Sequence, residues 1–557
     1  MKMIKDNTNK RTKEGNMKFH RTRSPFVLAA LICMVSLLLF GTHPLCAAEA
    51  KKAEPKATLK TAPKAAPAVK PVYGGILRIA ENNDGSSIGY PPKLFPVVSM
   101  RQAAPALEPL FKNDAAGKPM PWLATGFKED VANKSITLTI RKGVKFHDNT
   151  DFNGEAVKWN LELDVTAKAA GTEKIKSIDL VDPFTVRINL TEWDNTVLSN
   201  LAQSLGLMIS PEAFKKNGGE PWAAKNPVGT GPFQFVSWEK DTRTVYKKFD
   251  GYWQKGKPYL DGIEWVIMPD PLTRMMSFKK GEMDVALSIA AKDMSGLTQE
   301  GFVVARRPPP SGVLCMAPDS ANPNSPFANL KVRQATQHAI DTKAIAQSIF
   351  NGEAEPANQW IYKGHWAYNP ALKGYPYNPA KAKELLKEAG YPNGFKTKLA
   401  YLISTGAENE KLMTAVQGYL QAVGIDAELD PLQRARWNQL AIQGGKWEGL
   451  MWAGVSPNPD VAAVLATRYG NTGSYASMLY PDDYMKAVKN AVTVPASKKV
   501  EATKEAMKLL TEKHALLIVF STMPDAAVSR ASVHNHGLYG NPNPGWWTPE
   551  DAWMSKR

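Results

Sequence analysis

Residues 227–233 read Pro-Val-Gly-Thr-Gly-Pro-Phe. Two glycines flank one threonine, and a proline stands on each side. That pattern suits a tight turn in which backbone meets backbone or φ turns positive. A loop that cradles phosphate would end in Gly-Lys-Ser/Thr, or would run Gly-x-Gly-x-x-Gly between a strand and a helix, and neither is present. The run therefore reads as a structural turn, and its value lies in what accompanies it along the chain.

Upstream stand Arg141-Lys-Gly-Val-Lys-Phe-His147 and Glu155-Ala-Val-Lys158, and earlier still Gly74-Gly-Ile-Leu-Arg-Ile79. Downstream come Asp250-Gly-Tyr-Trp253, Lys257-Pro-Tyr-Leu-Asp261, Lys331-Val-Arg-Gln-Ala335 with Ala339-Ile-Asp341, and Ala354-Glu-Pro-Ala357. In this order the segments resemble the signatures of the family 5 extracellular solute-binding proteins, receptors that feed ABC importers of peptides, nickel and related solutes. The resemblance implies an α/β fold of two lobes on a hinge, with an extra subdomain in the first lobe and the ligand enclosed between the lobes. Carried onto this chain, it implies a first lobe over 72–310 with its subdomain near 108–205, a second lobe over 311–521, and a return to the first lobe over 522–557. Lobe closure on a ligand is then a population shift set by contacts made only in the closed form.

The residues themselves agree with a mixed fold. Ser135-Ile-Thr-Leu-Thr-Ile140 and Phe184-Thr-Val-Arg-Ile-Asn-Leu190 alternate with period two, which predicts half-buried strands. Asn378-Pro379 supplies a cap and a first-turn proline for a helix carrying Ala382, Leu385, Leu386 and Ala389, and Gly390 stops it. Val332, Ala335, Thr336 and Ala339 form a second such face, and Asp341 caps the helix that follows through Ile345 and Ile349. About 490 residues exceed what one hydrophobic core supports, so at least two domains are expected.

The N-terminal region points to export. Residues 26–40 are an almost unbroken apolar run, preceded by Lys18, Arg21 and Arg23 and followed by Ala47 and Ala48. The run is shorter than the ~20 residues of a spanning helix, so 1–48 reads as a signal peptide, with Met17 as an alternative start. Cys46 follows Leu45, which fits a lipoprotein site poorly; a soluble periplasmic protein is expected, with lipid anchoring the alternative. Residues 49–71 are Ala, Lys and Pro with few large apolar side chains and read as a disordered tether. The net charge of +16 belongs mostly to these ends, since 55 basic and 49 acidic residues remain from 71 onward. No clustered basic stripe or reading motif for nucleic acid is visible. Cys33 and Cys46 lie in the signal, so Cys315 is left alone and reads as a small buried hydrophobe.

No His-Glu-x-x-His, Gly-x-Ser-x-Gly or Cys-x-x-Cys occurs, so no enzyme, cofactor or metal site is expected. His534 and His536, near Asn541 and Asn543, read as loop residues. The 15 tryptophans are more telling, because an indole offers a flat apolar wall with one donor. Trp437 and Trp452 are the candidates for a ligand wall. Trp452-Ala-Gly-Val-Ser-Pro-Asn-Pro-Asp460 resembles the segment in which peptide receptors place an aspartate against the peptide ammonium. Here Val455 takes that place and Asn458 takes that of a second acid, while Asp460 survives further on. A buried ammonium stripped of its carboxylate is costly, so free-amine peptides are expected to bind poorly. Arg434 and Arg436 read either as a fork for a carboxylate or phosphate or as a solvated helix end. Glu81 and Asn82, with Asn83 and Asp84, follow the first strand and are cleft candidates or turn formers. The expected partners are a small organic solute or peptide and an inner-membrane ABC permease, with the receptor a monomer. A metal chelate or an oligosaccharide is the alternative ligand, and an exported hydrolase is the alternative of a different class.

Overall fold

A computed structural model describes residues 70–94, 97–114, 117–306, 313–403, 407–454, 458–540 and 547–556. The expected signal peptide, nearly all of the tether, Val455 and Trp546 lie outside these residues.

Two sheets dominate. The first has seven strands in the order Phe233–Glu239, Arg243–Lys248, Gly262–Ile267, Ile76–Glu81, Val285–Ala286, Ala526–Ser529, Val303–Arg306. Ile76–Glu81 lies at its centre, parallel to Gly262–Ile267 and to Val285–Ala286. Because strand side chains alternate between faces, Leu77 and Ile79 enter one core with Ile263 and Trp265, while Ala80 enters another with Ala286 and Val528 on the opposite face.

The second sheet has five strands, in the order Ile425–Leu432, Phe395–Leu402, Leu450–Ala453, Leu314–Pro318, Ile518–Ser521. Its core gathers helix residues Val332, Ala335, Leu385, Leu386 and Val416 against strand residues Leu399, Leu450 and Met316. The predicted caps are in place. Asn378 accepts from Lys381 N, and Asp341 accepts from Lys343 N and Ala344 N. Gly390 adopts φ 92° just past the helix Pro379–Glu388, a conformation that glycine takes without strain.

A four-stranded antiparallel sheet, Ala124–Asp130, Ser135–Ile140, Thr185–Leu190 and Ile175–Asp182, makes a third body. The helix Gly154–Thr166, capped by Asn153, packs Val157 and Leu161 into its core with Ile136, Leu138, Val186 and Ile188. The chain passes between the seven- and five-stranded sheets twice, between Arg306 and Leu314 and between Ser521 and Ala526.

The glycine-threonine-glycine turn is held by close approach alone. A Cβ on Gly229 would stand 2.2 Å from the carbonyl oxygen of Ala106, and one on Gly231 would stand 2.5 Å from that of Pro105. Neither glycine lies in the left-handed region, so of the two expectations only backbone contact is met. Thr230 between them donates its hydroxyl to Glu108 at 2.8 Å. The same buried carboxylate accepts from Trp122 Nε1 (2.8 Å), Tyr252 Oη (2.8 Å) and Trp253 Nε1 (3.0 Å). His147 adds a further tie. Its backbone N–H donates to Gly229 O at 2.8 Å and its Nε2 lies 2.9 Å from Gly231 O. Burial lowers the imidazole to about 4, so the ring is neutral at pH 7 and Nε2–H is the donor. Segments 141–147, 227–233 and 250–253 thus converge on one buried joint.

Candidate functional site

Trp437 sits on the helix Arg434–Ala441 and Trp452 on the strand Leu450–Ala453. Trp437 Nε1 donates to Trp452 O at 2.9 Å, and the two rings meet with centroids 5.7 Å apart and a 60° tilt. Both belong to the core built on the five-stranded sheet. Trp452 is 6 % exposed, and its Nε1 has no acceptor among the described residues. A buried indole N–H ordinarily finds a partner. Arg434 lays its guanidinium 5.6 Å from the centre of the Trp437 ring, a cation–π arrangement. Arg436 is exposed and turns to Gln439 Oε1 at 2.7 Å. The two arginines therefore do not form one fork.

Asp460 takes a structural post. It is 3 % exposed and caps the helix Val461–Val464, its Oδ1 accepting from Ala462 N and Ala463 N. Its Oδ2 lies 2.5 Å from Lys499 Nζ and accepts from Ser199 Oγ. On the seven-stranded sheet, Glu81 is fully buried, with Oε2 3.2 Å from Arg101 Nη1. Arg101 also donates to Tyr539 Oη at 2.9 Å. Burial raises the Glu81 carboxyl against the opposing pull of Arg101. Asn82 is half-buried, and its Oδ1 accepts from Ser288 Oγ at 3.4 Å. Asp84 binds Trp238 Nε1 and Asp241 N and so anchors the first hairpin of that sheet. The structure brings Trp437, Trp452 and Arg434 together by the five-stranded sheet and leaves Glu81 and Asn82 at the seven-stranded sheet.

A cavity of about 290 Å³ opens beside one of the two chain crossings, lined among others by Glu355, Tyr362, Lys363, Tyr368 and Thr522. Glu355 N donates to Thr522 Oγ1 at 2.8 Å, which ties the Ala354–Ala357 segment to that crossing. Sequence reasoning missed this cavity, since no spacing rule joins residues 355 and 522.

Cys315 is fully buried, donates from Sγ to Ala453 O at 3.2 Å, and is raised by burial to about 12. His534 stacks on Trp553, and His536 accepts from Leu538 N through Nδ1; Asn541 and Asn543 lie outside the described residues. Among the described residues no group of three or more His, Cys, Asp or Glu is placed to hold a metal ion, and no helix is long and apolar enough to cross a membrane.

The family described as bacterial extracellular solute-binding proteins, family 5, matches residues 118–476. The chain belongs to this family. As a family 5 solute-binding protein it is of the kind that serves ABC importers, and its two-lobed α/β fold is that of its relatives. It is 31 % identical over 466 residues to the glutathione-binding protein GsiB of Salmonella choleraesuis, covering 80 % of this chain and 87 % of GsiB. Among solved structures, the Helicobacter pylori periplasmic binding protein DppA, in complex with the peptide STSA, superposes with a TM-score of 0.71 at 23 % identity, covering 87 % of this chain and 99 % of DppA. NikA of Brucella suis, in complex with Fe(III)-EDTA, gives 0.74 at 22 % identity, covering 86 % and 100 %. At these identities the likeness to the two structures concerns the fold.

Proposed function

We propose that this solute-binding protein is exported to the periplasm by residues 1–48, stays soluble on the tether 49–71, and works as a monomer. It captures one peptide-like or other medium-sized organic solute between its lobes and hands it, chemically unchanged, to an inner-membrane permease. The lobes are 72–310 with 522–557, and 311–521, a division supported by the membership of the two large sheets. The tryptophan pair carries the reading. Trp452 is buried with an indole N–H that has no acceptor among the described residues, and a ligand oxygen would satisfy that donor. Arg434 beside Trp437 adds a positive group for a carboxylate-bearing solute.

Mass spectrometry of small molecules released from the purified protein tests the reading, followed by calorimetry with the recovered solute. Glutathione is added as a comparison probe because GsiB carries its name, and its free ammonium makes weak binding the expectation for it. The expected result is saturable binding at one solute per chain, with the solute recovered intact. Turnover of the bound molecule, or no binding across peptide, chelate and oligosaccharide panels, would overturn it.

A further inference from the structure

Asn195 follows the subdomain strand Thr185–Leu190 and precedes the short helix Val197–Asn200. Its side-chain nitrogen donates to Ala491 O at 3.0 Å and Val494 O at 2.8 Å, and its backbone N–H donates to Val492 O at 2.9 Å. These three oxygens lie at the C-terminal end of the second-lobe helix Asp482–Thr493. The last carbonyls of a helix lack partners within it. Here Asn195, from the other lobe, partners them, its carboxamide donating to Ala491 O and Val494 O and its backbone N–H to Val492 O.

Lys499 stands beside this cap, in the early turns of the helix Ala496–Lys508. Its Nζ donates to Asn195 O at 3.3 Å and pairs with Asp460 at 2.5 Å. Ser199, from the subdomain helix, donates to the same Asp460 oxygen. Asn195, Ser199 and Asp460 are 4, 6 and 3 % exposed, so the set is nearly shut off from water. Nearby, a Cβ on Gly117 would stand 2.9 Å from Pro459 Cβ, so the Pro459 ring packs closely on the glycine backbone there.

We propose that Asn195, Ser199, Asp460 and Lys499 form a latch that draws the subdomain and the second lobe together and thereby sets the affinity of the receptor. The inference rests on the hinged-receptor reading and adds a control to it. Every bond in the latch joins groups on opposite sides of the two chain crossings or braces a group that does, so opening the lobes breaks it. All its members are protein groups, so its contribution to closure does not depend on which solute is bound. A receptor whose competent state is partly populated binds with an affinity reduced by that fraction. Weakening the latch therefore lowers affinity without touching the solute. Loss of one or two such bonds shifts a two-state equilibrium roughly five- to thirty-fold.

The test uses spin labels at Lys176→Cys on the subdomain and Lys508→Cys on the second lobe, both exposed positions. The buried Cys315 stays unlabelled. The interspin distance distribution is measured without added solute for the parent, for Asn195→Ala and for Lys499→Met. The expected result is a short-distance population in the parent that falls about fivefold or more in both variants, relative to the long-distance one. Lys499→Met leaves all three bonds from Asn195 to the helix end in place, so it decides the matter if Asn195→Ala does not fold. Distributions that coincide with the parent's would overturn the latch. Since no solute takes part, that outcome leaves the receptor reading standing, and a failure of solute binding leaves the latch testable.

Discussion

Trp437 donates its indole N–H to the backbone oxygen of Trp452, so the helix that carries one ring is pinned to the strand that carries the other. The bond spends the donor of Trp437, while that of Trp452 has no acceptor among the described residues.

Trp452→Ala is expected to weaken solute binding by about 1–3 kcal/mol, the scale of buried aromatic contacts and hot spots. Calorimetry on parent and variant measures it. Equal affinities in a folded variant would assign the ring to core packing alone.

The sequence resemblance puts Val455, which lies outside the described residues, in the place of the ammonium anchor of the family's peptide receptors, and that reading is open to test. Unmodified di- and tripeptides should stabilise the parent weakly in a thermal-shift screen, because the cleft would strand a positive charge. Val455→Asp should strengthen their effect. Glutathione carries a free ammonium and sharpens the comparison. Strong stabilisation of the parent by glutathione, unchanged in the variant, would place the anchor elsewhere.

Glu108 collects four donors from Thr230, Trp122, Tyr252 and Trp253. Glu108→Ala strands all four in a water-poor joint and should cost on the order of 3–5 kcal/mol, in the range for breaking a buried charged network. Urea unfolding followed by intrinsic fluorescence reads this directly. A loss below about 1 kcal/mol, the size of one ordinary hydrogen bond, would show that the joint relaxes or admits water.

Two buried groups should give opposite pH slopes. Asp164 is 1 % exposed, its carboxylate oxygens have no hydrogen-bond partner among the described residues, and burial raises it well above the usual carboxylate range. Burial favours the protonated native form, so its pH-dependent cost is absent below the unfolded value near 3.8 and grows as pH rises from there. Asp164→Asn should gain on the parent as pH rises from 4.5 to 7.5. His147 is lowered from 6.5 to about 4. Its neutral native form is at no disadvantage above 6.5, and its contribution is lost as pH falls toward 4, by about 3 kcal/mol in total. His147→Gln should therefore gain on the parent on the acid side. Differences between parent and variant that do not change with pH would contradict these environments.

Local features were legible from residues alone. The strand Ser135–Ile140 follows from alternation, and the helix Pro379–Glu388 from its asparagine cap, first-turn proline and apolar face. Each depends on bonds and contacts that span a few residues, which a linear pattern records. The ordered markers resembled a family, and the structure shows their physical basis in the joint of Glu108, Thr230, His147, Tyr252 and Trp253.

Partners far apart in the chain were decided by the tertiary structure. Asp460 read as a ligand candidate because it lay close to Trp452, yet it meets Ser199, 261 positions away, and Lys499 on a neighbouring helix. Glu81 read as a cleft candidate or a turn former after the first strand, and the tertiary structure adds a buried pairing with Arg101. Residue type and spacing determined which side chains could bear charge, cap a helix or fill a core. Which groups finally meet depends on two passes of the chain between two sheets, and a buried charge goes to the partner that those passes bring within hydrogen-bond reach.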